Sequence, residues 1–224
     1  MIVTAKGKEL LRIYRVLNRK FGNLDWWPGE SRFEIIVGAI LTQNTAWSNV
    51  EKAILNLKRA KALSPDRLFR MSDAAVARLI RPAGYYNVKA RRLKCFLRFL
   101  YGEYHGSLGK MFSEDGPRLR EKLLAVNGIG PETADSILLY AGGKPFFVVD
   151  AYTKRIFSRH GFVNESDDYE SVQRFFMSRL PCRIGLFNDY HAQIVNLGKF
   201  YCKRSKPLCS ACPLTFLLTR KNLS

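Results

Sequence analysis

The sequence contains little cysteine, comparatively few acidic residues and no long apolar run, and each shortage excludes a class of protein. Its five cysteines are an odd number, and three of them crowd the C-terminus. That is not the even spread of a secreted disulfide scaffold, so we expect a reducing, cytoplasmic environment. No run of roughly 18 apolar residues and no secretory signal segment is recognisable, so neither a membrane span nor export is expected. Alternation of apolar and polar residues is almost absent too, which predicts an all-α protein.

The shortage of acidic residues leaves a large positive charge. There are 37 Lys and Arg residues against 19 Asp and Glu, which gives a net charge of +18 and an isoelectric point near 10.0. Such an excess indicates a polyanionic partner, most simply a nucleic acid. An acidic protein or an anionic lipid surface is the alternative, but no basic amphipathic anchor favours the lipid.

The clearest local signal is a turn between two helical segments. The segment Asn127-Gly128-Ile129-Gly130 cannot continue a helix, because glycines two positions apart favour turn geometry with positive φ. Pro131 suits the first turn of a new helix, where its missing N–H is no loss. We expect the amides around Gly128, Gly130 and Thr133 to point outward at a helix N-terminus, which is a typical anion site.

A single carboxylate follows this hairpin. The apolar run at residues 146–149 ends at Asp150, and an acid at the end of a buried run is unfavourable unless it has a partner or a chemical task. A helical hairpin followed by a capping aspartate is the structural alternative to a functional site.

Helical periodicity occupies most of the remaining chain. Ser31 is expected to cap the second helix, with Glu34 completing a capping box. Helices are predicted over residues 5–22, 31–42, 48–60, 117–126, 151–158, 169–178 and 189–200, with another from residue 88, and residues 102–116 are predicted to be a glycine-rich connector.

The hairpin and Asp150 together resemble the helix-hairpin-helix and Gly/Pro-rich loop signature of the endonuclease III superfamily of DNA glycosylases. The resemblance covers nearly the whole chain. It implies a six-helix barrel domain at 25–143 and a second helical domain from 1–24 and 144–224, with the DNA and base pocket in the cleft between them. It further implies a monomeric base excision repair enzyme of the cytoplasm (nucleoid) that flips a damaged base from double-stranded DNA and hydrolyses its N-glycosidic bond. Asp150 is then catalytic, and the hairpin residues that contact a DNA phosphate are Asn127, Gly128, Ile129, Gly130 and Thr133.

The tryptophans suggest which branch of this superfamily is nearest. The segments Trp26-Trp27-Pro28, 41–45 and 81–90 look closest to the 3-methyladenine DNA glycosylase III branch, in which matching aromatic residues stack on the flipped alkylated base. Alkylated purines such as 3-methyladenine carry positive charge, and aromatic faces attract cations. Trp26, Trp27, Pro28 and Trp47 are therefore expected to form the base pocket. Simple core packing is the alternative for each tryptophan.

Two further residues take DNA-contacting roles from the resemblance. Gln43 is implied to fill the gap left by the flipped base, whereas the alternative is a helix-terminal residue in solvent. Tyr85 is implied to wedge into the opposite strand, where an aromatic side chain offsets the loss of stacking.

The chain departs from endonuclease III at the lyase position. Bifunctional relatives carry there a Lys that forms a Schiff base, whereas this chain has Glu132. A carboxylate cannot form that bond, so hydrolysis by water is expected, with Glu132 as a second catalytic residue that favours a cationic base. Lys154 lies four residues after Asp150 and is expected to contact DNA. A weak lyase activity through the Lys154 amine is an open alternative.

Two rival functions remain open at this point. One is an endonuclease III-type glycosylase with AP lyase activity on oxidised pyrimidines or mismatches. The other is a non-catalytic helix-hairpin-helix module that binds DNA without needing Asp150.

The C-terminal cysteines form an incomplete metal motif. Cys202, Cys209 and Cys212 match three of the four thiolates that hold a [4Fe–4S] cluster in endonuclease III relatives, but Leu218 stands at the fourth position. Another group could complete the cluster, with Cys182 and Cys95 as candidates, or the cluster is labile or lost. Zinc and plain reduced thiols are the alternatives.

Overall fold

The computed structural model describes residues 4–24 and 27–218, and within these ranges every regular element is helical. The expectation of an all-α protein is therefore confirmed. None of the described helices is both long and apolar enough to cross a membrane. The described α-helices are α1 (Ala5–Phe21), α2 (Arg32–Leu41), α3 (Trp47–Arg59), α4 (Pro65–Arg70), α5 (Asp73–Leu79), α6 (Tyr86–Tyr104), α7 (Leu108–Ser113), α8 (Gly116–Leu124), α9 (Pro131–Ser136), α10 (Ala151–Arg159), α11 (Tyr169–Met177) and α12 (Ile184–Phe200).

The helices divide into two compact units. The central unit is formed by residues 27–144, and the terminal unit combines the described residues before 25 with residues 145–218.

The central unit is built on α2. Eight residues of this helix are buried, and it packs against α3, α6, α9 and a π-helical turn at Ile137–Ala141. Ser31 caps it as predicted, since its hydroxyl accepts the Glu34 N–H at 3.2 Å. The reciprocal bond of a capping box goes elsewhere, because the Glu34 carboxylate accepts from the Glu30 N–H and pairs with Lys58 at 2.9 Å.

The terminal unit is held by an aromatic core. α12 packs against α1 and α10, and Phe147 stacks on Phe176 with ring centroids 4.2 Å apart. The buried hydroxyl of Tyr190 donates to the Leu10 carbonyl at 2.9 Å. Because Phe147 is fully buried in this core and its carbonyl accepts from Gln173 at 2.8 Å, the extended run that leads to Asp150 is fixed in place.

Two expected boundaries were wrong. The supposed connector at 102–116 contains α7, because Ser107 caps it by accepting the Lys110 N–H and its Met111 and Phe112 side chains are buried. α12 begins at Ile184 rather than 189, where Gly185 in the first turn weakens the sequence signal for a helix start.

Candidate functional site

The hairpin loop joins α8 to α9 through a tight turn. The Ile129 N–H donates to the Val126 carbonyl at 3.0 Å, and Gly128 has a φ of +89°. Glycine is required at position 128 for two reasons. A side chain would be strained at that φ, and a Cβ atom would lie 2.2 Å from Cγ of Arg92. Pro131 is the first residue of α9, as the sequence predicted.

Gln43 is bonded to this hairpin. Its Nε2 donates to the Gly128 carbonyl at 3.0 Å and to the Thr133 hydroxyl at 2.9 Å. Its Oε1 accepts from the Arg92 guanidinium, which also packs against Gly128. Gln43 is therefore not a free helix-terminal residue in solvent. Arg92 was not predicted, because it is one of several basic residues in the sequence of α6.

These residues border a polar cavity. The cavity has a volume of about 450 Å³ and is lined by Gln43, Arg92 and residues 124–130. Asn127 and Gly130 are exposed, whereas Ile129 is buried and anchors the loop. Among the described residues, no backbone carbonyl accepts from the amides of Gly128 or Gly130. Amides without a backbone acceptor beside a guanidinium are suited to binding a phosphate.

A buried ion pair braces the two hairpin helices. Arg120 of α8 donates to both carboxylate oxygens of Asp135 in α9, at 2.7 and 3.0 Å, and the Asp135 side chain is fully buried. A two-pronged bond of this kind fixes orientation as well as distance.

Three aromatic rings form a cluster in the central unit. Trp27 stacks on Tyr140 with ring centroids 4.8 Å apart and meets Trp47 edge-on at 5.4 Å. Gly38 of α2 allows both indoles to approach, since a Cβ there would lie 3.3 Å from the Trp27 ring and 3.4 Å from the Trp47 ring. Because Trp27 and Tyr140 are in contact, a base can enter between them only if one of the two rings moves.

The backbone at Trp27 is unusual. Its φ is +77°, a region that bulky residues adopt only when the surroundings enforce it, often at functional sites. Pro28, the next residue, is exposed. Trp26, also expected in the base pocket, lies outside the described residues. Tyr140 was not predicted, because it is carried by the π-helical turn, and helical periodicity does not reveal such a turn.

Two carboxylates belong to this unit's candidate surface. Glu132 is exposed in the first turn of α9, where a negative charge interacts favourably with the helix dipole. Glu51 was not predicted, yet its Oε1 accepts from Nε1 of Trp47 at 2.8 Å. The Glu51 carboxylate therefore contacts the aromatic cluster directly.

Tyr85 is a large aromatic residue whose side chain points into solvent. Its side chain is 75% exposed, and its backbone is left-handed with a φ of +44°. Burial does not account for a large aromatic side chain at such a position.

Asp150 caps α10 in the terminal unit. Its Oδ1 accepts from the N–H and the hydroxyl of Thr153, at 2.7 and 2.9 Å, and its Oδ2 lies 3.6 Å from Nε2 of His191. Burial raises the pKa of the Asp150 carboxyl, but His191 and the Thr153 bonds outweigh burial and hold the pKa below its ordinary value. Asp150 is both a helix cap and a persistent buried anion. Lys154 is half-buried one turn further along α10.

The three C-terminal cysteines line one cavity in the terminal unit. The cavity has a volume of about 290 Å³, and Cys202, Cys209 and Cys212 border it together with Leu218, Arg159 and His160. Burial raises the pKa of the Cys212 thiol; a Leu214 bond opposes this rise, and the nearby Cys202 and Cys209 add to it. Cys182 is exposed and Cys95 lies on α6 of the central unit.

The residues that border this cavity include three thiols. Within the described ranges, no group of three His, Cys, Asp or Glu side chains is arranged to hold a metal ion. Thiolates are the usual ligands of iron–sulfur clusters, so the chemistry of the three cysteines fits such a cluster, although Leu218 supplies no ligand atom.

Comparison with known proteins agrees with this arrangement. Residues 37–182 match the profile of the HhH-GPD superfamily of base excision DNA repair proteins. A Methanocaldococcus jannaschii protein, named provisionally as a DNA repair glycosylase, is 46% identical over 211 residues, which cover 93% of this chain and 95% of that protein. Endonuclease III of Sulfolobus acidocaldarius is 32% identical, over 80% of this chain and 78% of its own length.

Solved structures agree with the sequence comparison. The H. pylori 3-methyladenine DNA glycosylase bound to 1,N6-ethenoadenine superposes with a TM-score of 0.75 at 30% identity, covering 86% of this chain and 97% of that one. A non-covalent endonuclease III–DNA complex has a TM-score of 0.81 at 23% identity, covering 99% and 97%, a likeness of fold alone. The chain belongs to the HhH-GPD superfamily of base excision DNA repair proteins. It is a DNA repair glycosylase of that family, and the expected kinship with endonuclease III is confirmed.

Proposed function

We propose that this glycosylase is monofunctional and releases alkylated purines such as 3-methyladenine. The observation that carries the proposal is the aromatic cluster of Trp27, Trp47 and Tyr140, with the Glu51 carboxylate bonded to one of its rings. Flat π-faces beside a carboxylate favour a flat cation, and an N3- or N7-alkylated purine is such a cation. The likeness to a 3-methyladenine DNA glycosylase that was solved with bound 1,N6-ethenoadenine supports a modified adenine as the substrate.

Base entry requires the cluster to open. Trp27 stacks on Tyr140. When Trp27 moves aside, the flipped base stacks on Tyr140 in its place, and this new stacking compensates for the lost Trp27–Tyr140 contact. Trp27 also has a left-handed backbone, a conformation that bulky residues adopt most often at functional sites. This makes Trp27 the movable wall of the pocket, with Trp47 held through its bond to Glu51.

Asp150 acts on the sugar in this proposal. As the N-glycosidic bond breaks, its electron pair leaves with the cationic base, which becomes neutral, and positive charge develops on the deoxyribose. The Asp150 carboxylate, kept ionised by His191 and Thr153, stabilises that charge. Water then forms the new C–O bond, and its proton passes to Asp150 or to solvent. A cationic leaving base needs no protonation, so no strong general acid is required.

Glu132 makes the enzyme monofunctional. It occupies the position of the lyase Lys and cannot form a Schiff base, so the product is an intact strand with an abasic site. We also assign Glu132, together with Glu51, a preference for positively charged bases.

Double-stranded DNA is held through the hairpin in this account. The cavity beside the hairpin, with Arg92 and the amides of Gly128 and Gly130, takes one backbone phosphate, and Tyr85 wedges into the opposite strand. Gln43 keeps Arg92 and the hairpin in register. Filling the gap left by the flipped base, the other role suggested for Gln43, requires those bonds to be released. Lys154 adds a cation near Asp150, and the enzyme acts as a monomer.

The cavity in the terminal unit is assigned to a [4Fe–4S] cluster. Cys202, Cys209 and Cys212 supply thiolates, and the cluster, when bound, gives the loop that carries them a rigid anchor. Arg159 already holds that loop by donating to the Lys203 and Arg204 carbonyls, at 2.7 and 2.8 Å, which presents a basic surface to DNA.

A substrate panel tests the proposed function. Duplexes that differ only in one base, 3-methyladenine, 7-methylguanine, an oxidised pyrimidine or a mismatched thymine, are incubated with the wild type and with Asp150→Asn. We expect release of the alkylated purines by the wild type alone, with duplex binding retained by the variant. Release of the pyrimidines instead assigns the enzyme to the endonuclease III type, and equal binding with no release of any base leaves a DNA-binding module.

A further inference from the structure

We propose that His160 supplies the fourth ligand of the cluster, in place of the cysteine that this chain lacks. The inference rests on the cluster assignment within the proposed function. Its basis is a juxtaposition: the His160 ring lines the same cavity as the three thiols, and its Nδ1 is fully buried with no hydrogen-bond partner among the described residues.

A buried ring nitrogen without a partner needs an explanation. Most buried polar atoms in proteins are bonded, and the exceptions often mark a missing ligand or ion. Imidazole nitrogen is a common ligand of iron, and it binds metal in its neutral form. Burial lowers the pKa of His160, and the neighbouring Arg159 lowers it further.

The ring is held in position by the helix that it ends. His160 closes α10, where its N–H donates to the Ile156 carbonyl at 3.3 Å. α10 is attached to the cysteine loop, since Arg155 donates to the Cys202 carbonyl at 2.9 Å and Arg159 reaches the sulfur of Cys202 at 3.4 Å. The helix that ends at His160 is therefore attached to Cys202 by the fold before any metal binds.

The other candidates for the fourth ligand are weaker. Leu218 borders the cavity but has no donor atom. Cys182 is exposed and is not among the residues that line the cavity. Cys95 belongs to the central unit and accepts from Arg98 on its own helix.

An imidazole ligand changes the cluster measurably. Replacing one thiolate by a neutral nitrogen makes the cluster less negative, and histidine ligation raises the potential of iron–sulfur centres. The same ligand also connects the cluster to α10, the helix that Asp150 caps at its other end.

The test uses the full chain, purified and reconstituted without oxygen. Iron content, continuous-wave EPR and nitrogen couplings in pulsed EPR are measured for the wild type, His160→Ala, His160→Cys and the double variant His160→Ala/Leu218→Cys. Cys182→Ser is the matched control, because it removes an exposed candidate ligand.

We expect about four irons per wild-type chain and a nitrogen coupling from the ligand. His160→Ala should convert the signal to that of a three-iron cluster or lose iron, and Leu218→Cys should restore four irons in that background. His160→Cys should keep the cluster, lose the nitrogen coupling and lower its potential. Cys182→Ser should match the wild type.

Two results overturn the proposal, and they are distinguishable. A wild-type chain that takes up no iron removes the cluster, and with it the role of His160, while base release still tests the glycosylase separately. A wild-type cluster whose iron content and EPR are unchanged in His160→Ala shows that another group is the fourth ligand.

Discussion

Nε2 of His191 lies 3.6 Å from Oδ2 of Asp150, and their side chains are only 6% and 12% exposed. His191 is carried by α12 and Asp150 caps α10, so the pair exists because these two helices pack together. A carboxylate this deeply placed would otherwise hold its proton more tightly. The pairing explains how Asp150 remains an anion at the end of an apolar run.

The first prediction concerns the acid limb of the pH–rate profile. His191 lowers the pKa of Asp150, so the active carboxylate persists until the pH falls below the ordinary range for aspartate. Replacing His191 by Gln removes that influence and leaves only the Thr153 bonds to oppose burial, so the pKa of Asp150 rises. The acid limb of single-turnover base release should therefore move to higher pH, and the stability that the ionised carboxylate adds should be lost at a correspondingly higher pH.

The control for this shift is His105→Asn. His105 is an exposed histidine with a φ of +53°, a conformation that asparagine tolerates. The pH–rate profile of His105→Asn should match that of the wild type. An acid limb that stays in place in His191→Gln shows that His191 does not govern Asp150.

The second prediction concerns the movable wall of the base pocket. Trp27→Ala removes the ring that contacts both Tyr140 and Trp47. A cation–π contact contributes about 0.5–2 kcal/mol, so release of 7-methylguanine should slow by about 2- to 30-fold. Trp27→Phe keeps a flat face and should retain most of the activity. If Trp27→Ala releases the base at the wild-type rate, Trp27 is a packing residue only.

The third prediction concerns the phosphate site. Arg92→Ala removes the guanidinium beside the hairpin and the bond that orients Gln43. Binding to undamaged duplex should weaken, and the slope of log affinity against log salt should fall by about one. Arg91→Ala removes the same charge from an exposed neighbouring position on α6 and serves as the control. If the two variants weaken binding equally, Arg92 contributes only to the overall positive charge of the protein and does not contact a phosphate.

The fourth prediction concerns stability. Arg120→Met leaves the fully buried Asp135 without its two-pronged partner. Breaking a buried ion pair from one side costs about 3–5 kcal/mol, which denaturant unfolding can measure. Arg118→Met removes the exposed arginine of α8 that pairs with Glu114, and Glu114 keeps its pair with Lys122, so the expected loss is that of a surface pair, about 0–1 kcal/mol. Similar losses in the two variants would mean that the buried pair does not brace the hairpin.

Local chemistry made part of this site predictable. Two glycines and a proline define the turn before α9 whatever the rest of the chain does, and an aspartate before a helical segment is a natural cap. The Ser31 cap followed for the same reason. Glu132 could be assigned its place at the hairpin because its position depends only on spacing from the turn.

The residues that the sequence did not reveal depend on contacts distant in the chain. Gln43 and Arg92 are 49 positions apart, and nothing in local composition distinguishes Arg92 from other basic residues of α6. His191 and His160 likewise acquire meaning only through packing, against Asp150 and the cysteine cavity. Tyr140 was missed because a π-helical turn sets its direction. Residues 102–116 were wrongly predicted to be a connector because their glycines outweighed the helix signals of α7, which are its Ser107 cap and the apolar pair Met111 and Phe112.

The most direct measurement of the central claim uses one labelled duplex carrying a single 3-methyladenine, incubated with the wild type and divided into samples with and without hot alkali. We expect strand breaks only after alkali and no borohydride-trapped complex with the wild type. A trapped complex is expected in Glu132→Lys, because a Lys then stands where relatives form a Schiff base. Breaks without alkali, together with trapping of the wild type, would contradict the account and direct attention to Lys154.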